Sequence, residues 1–196
     1  MISASDAAEA GALFSIYHDR IRRYIASMVR DPAEAEDLTQ ETFLRAHCQM
    51  EKLRDPKAAR GWLYRIATHV CLDRLRKRKR EVILDGGGEP APGQPAASEH
   101  PFGQVRVERA ETSACVQRCL DYLPDTYRAV ILLYEAHGLT VPEIAELLNV
   151  SGATIKVRLH RARRRLQEIM EIGCMVSEGN RGVPCCQERG MARVGH

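Results

Sequence analysis

Three sets of residues in this chain have types and spacings that could do chemistry. In "GCMVSEGNRGVPCCQERG", Cys174, Cys185 and Cys186 stand on a polar segment that offers no core to bury a thiol, with Gly179, Gly182 and Pro184 between them to let the chain fold back. A thiolate-rich, oxygen-poor set suits copper(I), zinc or cadmium over magnesium or calcium. Cys115, Cys119 or His196 would complete a shell. A thiol–disulfide switch competes with that reading, as does a tail that does neither. The second set, Ser151, Thr154, Lys156, Arg158, Arg161 and Arg164, combines hydroxyls and cations suited to base edges and phosphates, with Arg163 and Arg165 alongside. In the third, Trp62 and Tyr64 precede the run "RLRKRKR", which holds Arg76 and Arg78. Aromatic platforms beside countercharge suit unpaired nucleic acid, although a tryptophan is also an ordinary core residue.

The net charge of +3 hides a strong pattern. Residues 31–41 carry five acids (Asp31, Glu34, Glu36, Asp37, Glu41) and no base, whereas residues 156–165 carry six Lys or Arg and no acid. Two basic stretches separated by a neutral-to-acidic middle fit a polyanion held at two places. Asp37, Gln40 and Glu41 lie close together on a predicted helix, opposite its apolar stripe, as a protein-docking surface would. No phosphate-cradling glycine loop, HExxH or nucleophile elbow is present, so no catalytic residue is expected and the chain is not read as an enzyme. No apolar run approaches the roughly 20 residues that span a bilayer. The N-terminal "MISASDAAEAGALF" lacks a basic start and holds Asp6 and Glu9. A cytoplasmic protein without membrane contact is expected, its seven cysteines reduced.

The elements that must position these residues read as helices throughout. Apolar residues at helical spacing (Leu13, Ile16, Tyr17, Ile21, Tyr24, Ile25) mark a helix over about 8–29. "DPAEAEDLTQETFLRAH" opens with Asp31 as N-cap, Pro32 at the first position and Glu34 closing a capping box, with Leu38, Phe43 and Ala46 inward. The same Asp-Pro signal at Asp55-Pro56 starts a helix that carries Leu63, Ile66, Ala67 and Val70 into the basic run. "LDGGGEPAPGQPAASEHPFGQ" (84–104) has neither period and reads as a flexible linker. Beyond it, stripes over 116–123 and 127–134 precede "GLTVPEIAELLNVSGATIKVRLHRARRRL". There Thr140 and Glu143 form a capping box, "NVSG" turns the chain and Ser151 caps a basic second helix. That is a helix-turn-helix, whose second helix enters the major groove of DNA. The fold class is all-α: a helical domain over 1–80, a linker over 81–110, a second helical domain over 111–168 and a cysteine-containing tail over 169–196. Cys48, Cys71, Cys115 and Cys119 fall on packed stripes and read as small core hydrophobes.

The stretches "AEAEDLTQETFLRAH", "GWLYRIATHVCLDRLRKRKR" and "LPDTYRAVILLYEAHGLTVPEIAELLNVSGATIKVRLHRARRRL" resemble, in order, regions 2.2, 2.3–2.4 and 4.1–4.2 of the extracytoplasmic-function (ECF) sigma factors of the sigma-70 family. The resemblance covers most of residues 8–168. It implies a bacterial transcription initiation factor whose partners are core RNA polymerase and promoter DNA, with an anti-sigma factor as a further partner. Asp37, Leu38, Gln40, Glu41 and Phe43 would dock on core polymerase. Residues 52–78, with Trp62, Tyr64, His69, Asp73, Arg76 and Arg78, would melt and read the −10 element. Ser151 to Arg165 would bind the −35 element. The linker acids Glu81, Asp85, Glu89 and Glu99 would follow the RNA exit path. Asp73 matches the family pattern, but His69 in "RIATH" replaces the asparagine that is common where a −10 base is read. Some members also carry a cysteine-rich C-terminal extension through which metal binding, copper included, gates activity; this tail is similar. No cofactor is required for the core function. The competing reading is a one-component helix-turn-helix regulator with a thiol-based redox or metal sensor tail, which would have no use for the acidic docking helix.

Overall fold

The computed structural model describes the backbone of residues 4–53, 55, 58–84, 116–178 and 184–188, and side chains within 14–81 and 116–171. Residues 85–110 of the expected linker, Cys115, His196 and Pro56 lie outside the described residues, as does the side chain of Leu13. Three long helices form the first unit: α1 (Ala4–Val29), α2 (Pro32–Cys48) and α3 (Ala59–Leu84). The second contains α4, helical over residues 116–121, then α5 (Asp125–Ile131), α6 (Val141–Leu148) and α7 (Gly152–Gly173). A short strand pair follows, β1 (Cys174–Glu178) and β2 (Pro184–Glu188).

Local chemistry explains most boundaries. Asp31 caps α2 by accepting from the backbone N–H groups of Ala33 (2.8 Å) and Glu34 (3.2 Å). Glu34 does not close the expected capping box. Its carboxylate instead accepts from Arg74 of α3 at 2.5 Å, where a guanidinium outcompetes a solvated backbone N–H. The third helix starts at Ala59 rather than at Asp55-Pro56, and it runs through residues 81–84, which the sequence reading gave to the linker. Arg30, between α1 and α2, holds a left-handed φ of 71°, an unusual state for a side chain with a Cβ.

The apolar faces of both units meet in one continuous core. Ile21, Tyr24, Ile25, Met28, Leu63, Tyr64, Ala67 and Val70 from the first unit pack with Leu123, Val130, Leu133, Leu139, Ile144 and Ile155 from the second. Burial of this surface, at about 25 cal/mol per Å² of apolar area, is the main force holding the units together. Buried Thr39, Thr42 and Thr68 satisfy their hydroxyls on the carbonyls of Ala35, Leu38 and Tyr64 at 2.6–2.7 Å.

Polar contacts stitch the same junction. Arg128, 3% exposed, donates Nη1 to the Met28 carbonyl at the end of α1 (2.8 Å) and Nε to the Leu120 carbonyl (2.9 Å). Its Nη2 donates to the carbonyls of Asp121 (2.7 Å) and Leu123 (3.3 Å). A cation at the C-terminal end of α1 also meets the negative end of the helix dipole. Arg30 pairs with the Asp121 carboxylate (3.0 Å) and donates to its carbonyl, and Gln117 donates to the Ser27 carbonyl at 3.0 Å.

Three expectations about packing change. Ile16, expected on the inner face of α1, is 63% exposed because Tyr17, Ile21, Tyr24 and Ile25 already fill that face. Cys48, read as packed, is exposed at the end of α2, whereas Cys71 and Cys119 are buried. Burial raises the Cys71 thiol well above the ordinary range, which keeps it protonated. The tail, read as a polar segment on an all-α fold, pairs as an antiparallel hairpin whose register sets Cys174 opposite Glu188, Val176 opposite Cys186 and Ser177 opposite Cys185.

Candidate nucleic-acid interface

The helix-turn-helix is assembled from capping chemistry that the sequence encodes locally. Thr140 and Glu143 form the full capping box: the Glu143 carboxylate accepts from the Thr140 backbone N–H and hydroxyl, both at 2.6 Å, and the Glu143 N–H donates to the Thr140 hydroxyl. Those bonds lower the Glu143 pKa by favouring its charged form. Asn149 ends α6 in the left-handed conformation (φ 53°), and Ser151 then accepts the Thr154 N–H at 3.1 Å to start α7. Ile155, Leu159 and Ala162 anchor the inner face of α7, so its outer face is fixed in register against α6 and α5.

That outer face is cationic. Lys156 and Arg161 are exposed and Arg158 is half-buried, and none of the three forms an ion pair among the described residues. Arg163 is committed elsewhere: it donates twice to the Glu135 carboxylate (2.9 and 2.6 Å) and lies over the Tyr134 ring at 5.3 Å. Arg164 and Arg165 share Glu168, each at 3.2 Å. Uncommitted cations therefore concentrate in the N-terminal half of α7, beside the Ser151 and Thr154 hydroxyls, which bond each other at 2.8 Å. The sequence reading missed Val157. It is 49% exposed between Lys156 and Arg158, and its signal was an apolar residue off the inward stripe. An exposed branched side chain on a groove-reading helix suits a thymine methyl.

On α3 the exposed side carries Arg65, His69, Asp73, Arg76, Lys77 and Arg80, one stripe at helical spacing. His69 is exposed, and its Nδ1 donates to the Arg65 carbonyl at 2.7 Å. A proton on Nδ1 leaves Nε2 of the neutral ring as an outward acceptor. Asp73 holds Arg76 at 2.9 Å, while Arg78 lies 3.9 Å from Glu34. Trp62 is partly buried against the core. Tyr64 is 1% exposed and so is not on this surface: its hydroxyl meets Nδ1 of His137, across the junction, at 2.8 Å.

The expected docking residues on α2 divide similarly. Asp37 and Gln40 are exposed and Glu41 pairs with Arg45 at 2.5 Å. Phe43 is partly buried against the core and meets Phe14 edge-on at 4.8 Å. Leu38, 6% exposed, belongs to the core and presents nothing to a partner. Leu44 (66% exposed) and Phe14 (46%) add apolar surface that the sequence reading did not single out.

Among the described residues no cluster of three or more His, Cys, Asp or Glu could hold a metal ion, and no helix is long and apolar enough to cross a membrane. Cys119 is buried against Leu166, Ile169 and Met170.

Comparison with known proteins agrees with this geometry. Residues 13–81 match the family described as Sigma-70 region 2, and residues 113–166 match Sigma-70, region 4. The chain is 36% identical over 160 residues to the ECF RNA polymerase sigma factor SigW of Bacillus subtilis, covering 80% of this chain and 86% of that protein. It is 32% identical over 161 residues to SigM of the same organism, covering 82% and 94%. Among solved structures it is similar to the sigma factor RpoE from Bartonella quintana, crystallised with the anti-sigma factor NepR. That match has 26% identity and a TM-score of 0.65, and covers 81% of this chain and 94% of that one.

Proposed function

The chain belongs to the ECF RNA polymerase sigma factors, and from that premise we propose how its surfaces divide the work of directing transcription initiation. It acts in the cytoplasm as a non-enzymatic subunit of RNA polymerase. The α2 surface of Asp37, Gln40, Glu41 and Phe43, with the adjoining Leu44 and Phe14, docks on core polymerase. The α3 stripe of His69, Asp73 and Arg76 reads and opens the −10 element, and Tyr64 joins it as a stacking platform when exposed. The N-terminal half of α7 reads the −35 element through Ser151, Thr154, Lys156, Arg158 and Arg161. The observation that carries this reading is the capped helix-turn-helix whose second helix presents Lys156, Arg158 and Arg161 without acidic partners. Charge without internal neutralisation is what phosphate binding requires. An anti-sigma partner would act on these same surfaces.

The tail cysteines add an input. We propose that Cys174, Cys185 and Cys186 respond to copper, zinc or cadmium, with Cys115 and His196 as further ligands; buried Cys119 would first have to leave its packing. Soft thiolates suit these metals. In the paired hairpin Cys174 and Cys186 occupy ladder positions of the same parity, and Cys185 occupies the other. A metal that gathers all three must therefore re-form β2, and because α7 runs directly into β1 such a change reaches the DNA-reading helix. Both readings are tested by mapping transcripts made by core polymerase on a genomic promoter library. New start sites should appear only with the protein, and metal should change their yield in the wild type but not in a Cys174→Ser, Cys185→Ser, Cys186→Ser variant. No new starts would defeat the surface assignments; an unaltered metal response in the variant would defeat the tail's role.

A further inference from the structure

Three of the six cations over residues 156–165 of α7 are already neutralised by carboxylates of this chain. Arg163 donates Nε and Nη2 to the Glu135 carboxylate at 2.9 and 2.6 Å, and its guanidinium lies 5.3 Å from the centre of the Tyr134 ring. Arg164 and Arg165 each reach Glu168 at 3.2 Å. The bonds from Arg165 and then Arg164 lower the Glu168 pKa, so its carboxylate is charged. Lys156, Arg158 and Arg161 have no such partner among the described residues.

These pairs sit beside the residues assigned to base reading. At 1.5 Å per residue, Arg164 and Arg165 lie about 4.5 and 6 Å along the helix from Arg161, and their three- and four-residue spacing puts them on its side. Arg158, Arg161 and Arg165 follow one stripe at helical spacing, and Glu168 is the next residue on it. The major groove is about 12 Å wide, so a helix seated there brings Arg164 and Arg165 to the bordering phosphates. Arginines at phosphates add affinity for any duplex, because phosphates carry no sequence. Glu135 and Glu168 oppose that gain. A phosphate takes one of these arginines only by leaving a carboxylate unpaired, and the counterion released from DNA is offset by one gathered at the glutamate.

We propose that Glu135 and Glu168 are specificity-determining residues of −35 binding. By holding Arg163, Arg164 and Arg165 they limit affinity for non-promoter DNA, so that binding depends on the side chains that read bases. The proposal rests on the assignment of α7 to the −35 element. Exposed ion pairs are individually weak, so the glutamates exert a graded effect rather than a block.

The test measures binding of polymerase carrying the full chain to two duplexes at several salt concentrations. One duplex holds a promoter found by transcript mapping, and the other has its −35 element scrambled. Glu168→Gln keeps the shape of the side chain and frees two arginines. Its affinity for the scrambled duplex should rise about tenfold, and the slope of log affinity against log salt should steepen by about two. Glu135→Gln frees one arginine and should give about threefold and a slope change of about one. Promoter affinity should rise less, because base contacts hold α7 in one register while a non-promoter complex can shift toward the phosphates. The preference for promoter over scrambled DNA should therefore fall about fivefold in Glu168→Gln. Combining Glu168→Gln with Arg164→Gln and Arg165→Gln should return affinity and slope toward wild type. Unchanged slopes and an unchanged preference in both single variants would overturn the proposal. So would a combined variant that keeps the slope of Glu168→Gln, since the glutamate would then act without those arginines. Wild-type polymerase that binds both duplexes equally would overturn the assignment of α7 itself, and the proposal with it.

Discussion

Replacing Arg128 by methionine removes a guanidinium but keeps an unbranched chain of similar reach, and the structure sets the size of the effect. Four backbone carbonyls, those of Met28, Leu120, Asp121 and Leu123, lose their charged donor in a site where the side chain is 3% exposed. The Asp121 carbonyl keeps Arg30 and the Leu120 carbonyl keeps the Leu123 N–H, so those of Met28 and Leu123 are the ones left unpaired, at about 1–3 kcal/mol each. The gross loss is partly offset, because Arg128 no longer has to be desolvated and methionine buries apolar surface instead. That desolvation is strong enough to lower the Arg128 pKa despite Asp121 nearby. Breaking one side of a buried charged arrangement typically leaves a net cost of about 3–5 kcal/mol. At about 2–4 °C per kcal/mol for a chain of this size, the melting temperature should fall by about 10 °C or more. Urea unfolding can be followed by far-UV circular dichroism and by the fluorescence of Trp62, the single tryptophan. The midpoint should drop in both signals together, since the core is continuous from α1 to α7. A variant within about 1 kcal/mol of wild type would mean that water meets those carbonyls as well as Arg128 does, and that Arg128 does not hold the units together.

Four further outcomes follow from the geometry. His69→Asn adds an amide donor where the imidazole offers only Nε2 as acceptor, so base preference at one −10 position should change while core affinity does not, as read by transcription from a randomised −10 library. Lys156→Ala and Arg161→Ala should each weaken −35 binding and lower the slope of log affinity against log salt by about one, measured by titration at several salt concentrations. Thr140→Ala breaks the capping box and should destabilise the chain by about 1 kcal/mol in urea unfolding. The junction should also loosen in acid. His137 is depressed to about 4 by burial and then by Arg23, Arg60 and Arg20, with Tyr24 and Tyr64 completing its surroundings. Once the junction parts and water reaches the ring, it titrates near 6.5. The closed form thus binds fewer protons, its stability is complete above about pH 6.5, and it is lost progressively down to about pH 4. Scattering should show expansion over that window in the wild type and a weaker pH dependence in His137→Ala.

What the sequence disclosed was whatever depends on near neighbours. Thr140 with Glu143 and Ser151 with Thr154 each act across three positions, so the helix-turn-helix could be read directly. The Asp31 cap was equally legible, but the partner of Glu34 is Arg74, forty residues away, and nothing local distinguishes that glutamate from a capping-box residue. The junction was hidden for the same reason. Arg128 looks like a surface base in "DTYRAV", yet its role depends on a carbonyl one hundred positions earlier, and the partner of Tyr64 is seventy-three positions later. Leu38 shows where periodicity and resemblance part: helical spacing places it inward, where it lies, whereas the resemblance gave it to the docking surface, and Leu44, off that stripe, is the exposed leucine of α2. The tail hairpin escaped because each strand is only five residues long and its ladder is a pairing across a glycine-containing segment rather than a pattern within either strand.

One chain bound to polymerase is expected to use α7 at the −35 element and α3 at the −10 element. Permanganate and DNase footprinting of a promoter with core polymerase and this protein tests it most directly. Both elements should be protected, with permanganate-reactive thymines appearing around the −10 element only when the protein is present. Combined Lys156→Ala and Arg161→Ala should remove the −35 protection while core binding persists. Protection of a single element without strand opening, or identical footprints from wild type and the α7 variant, would contradict it.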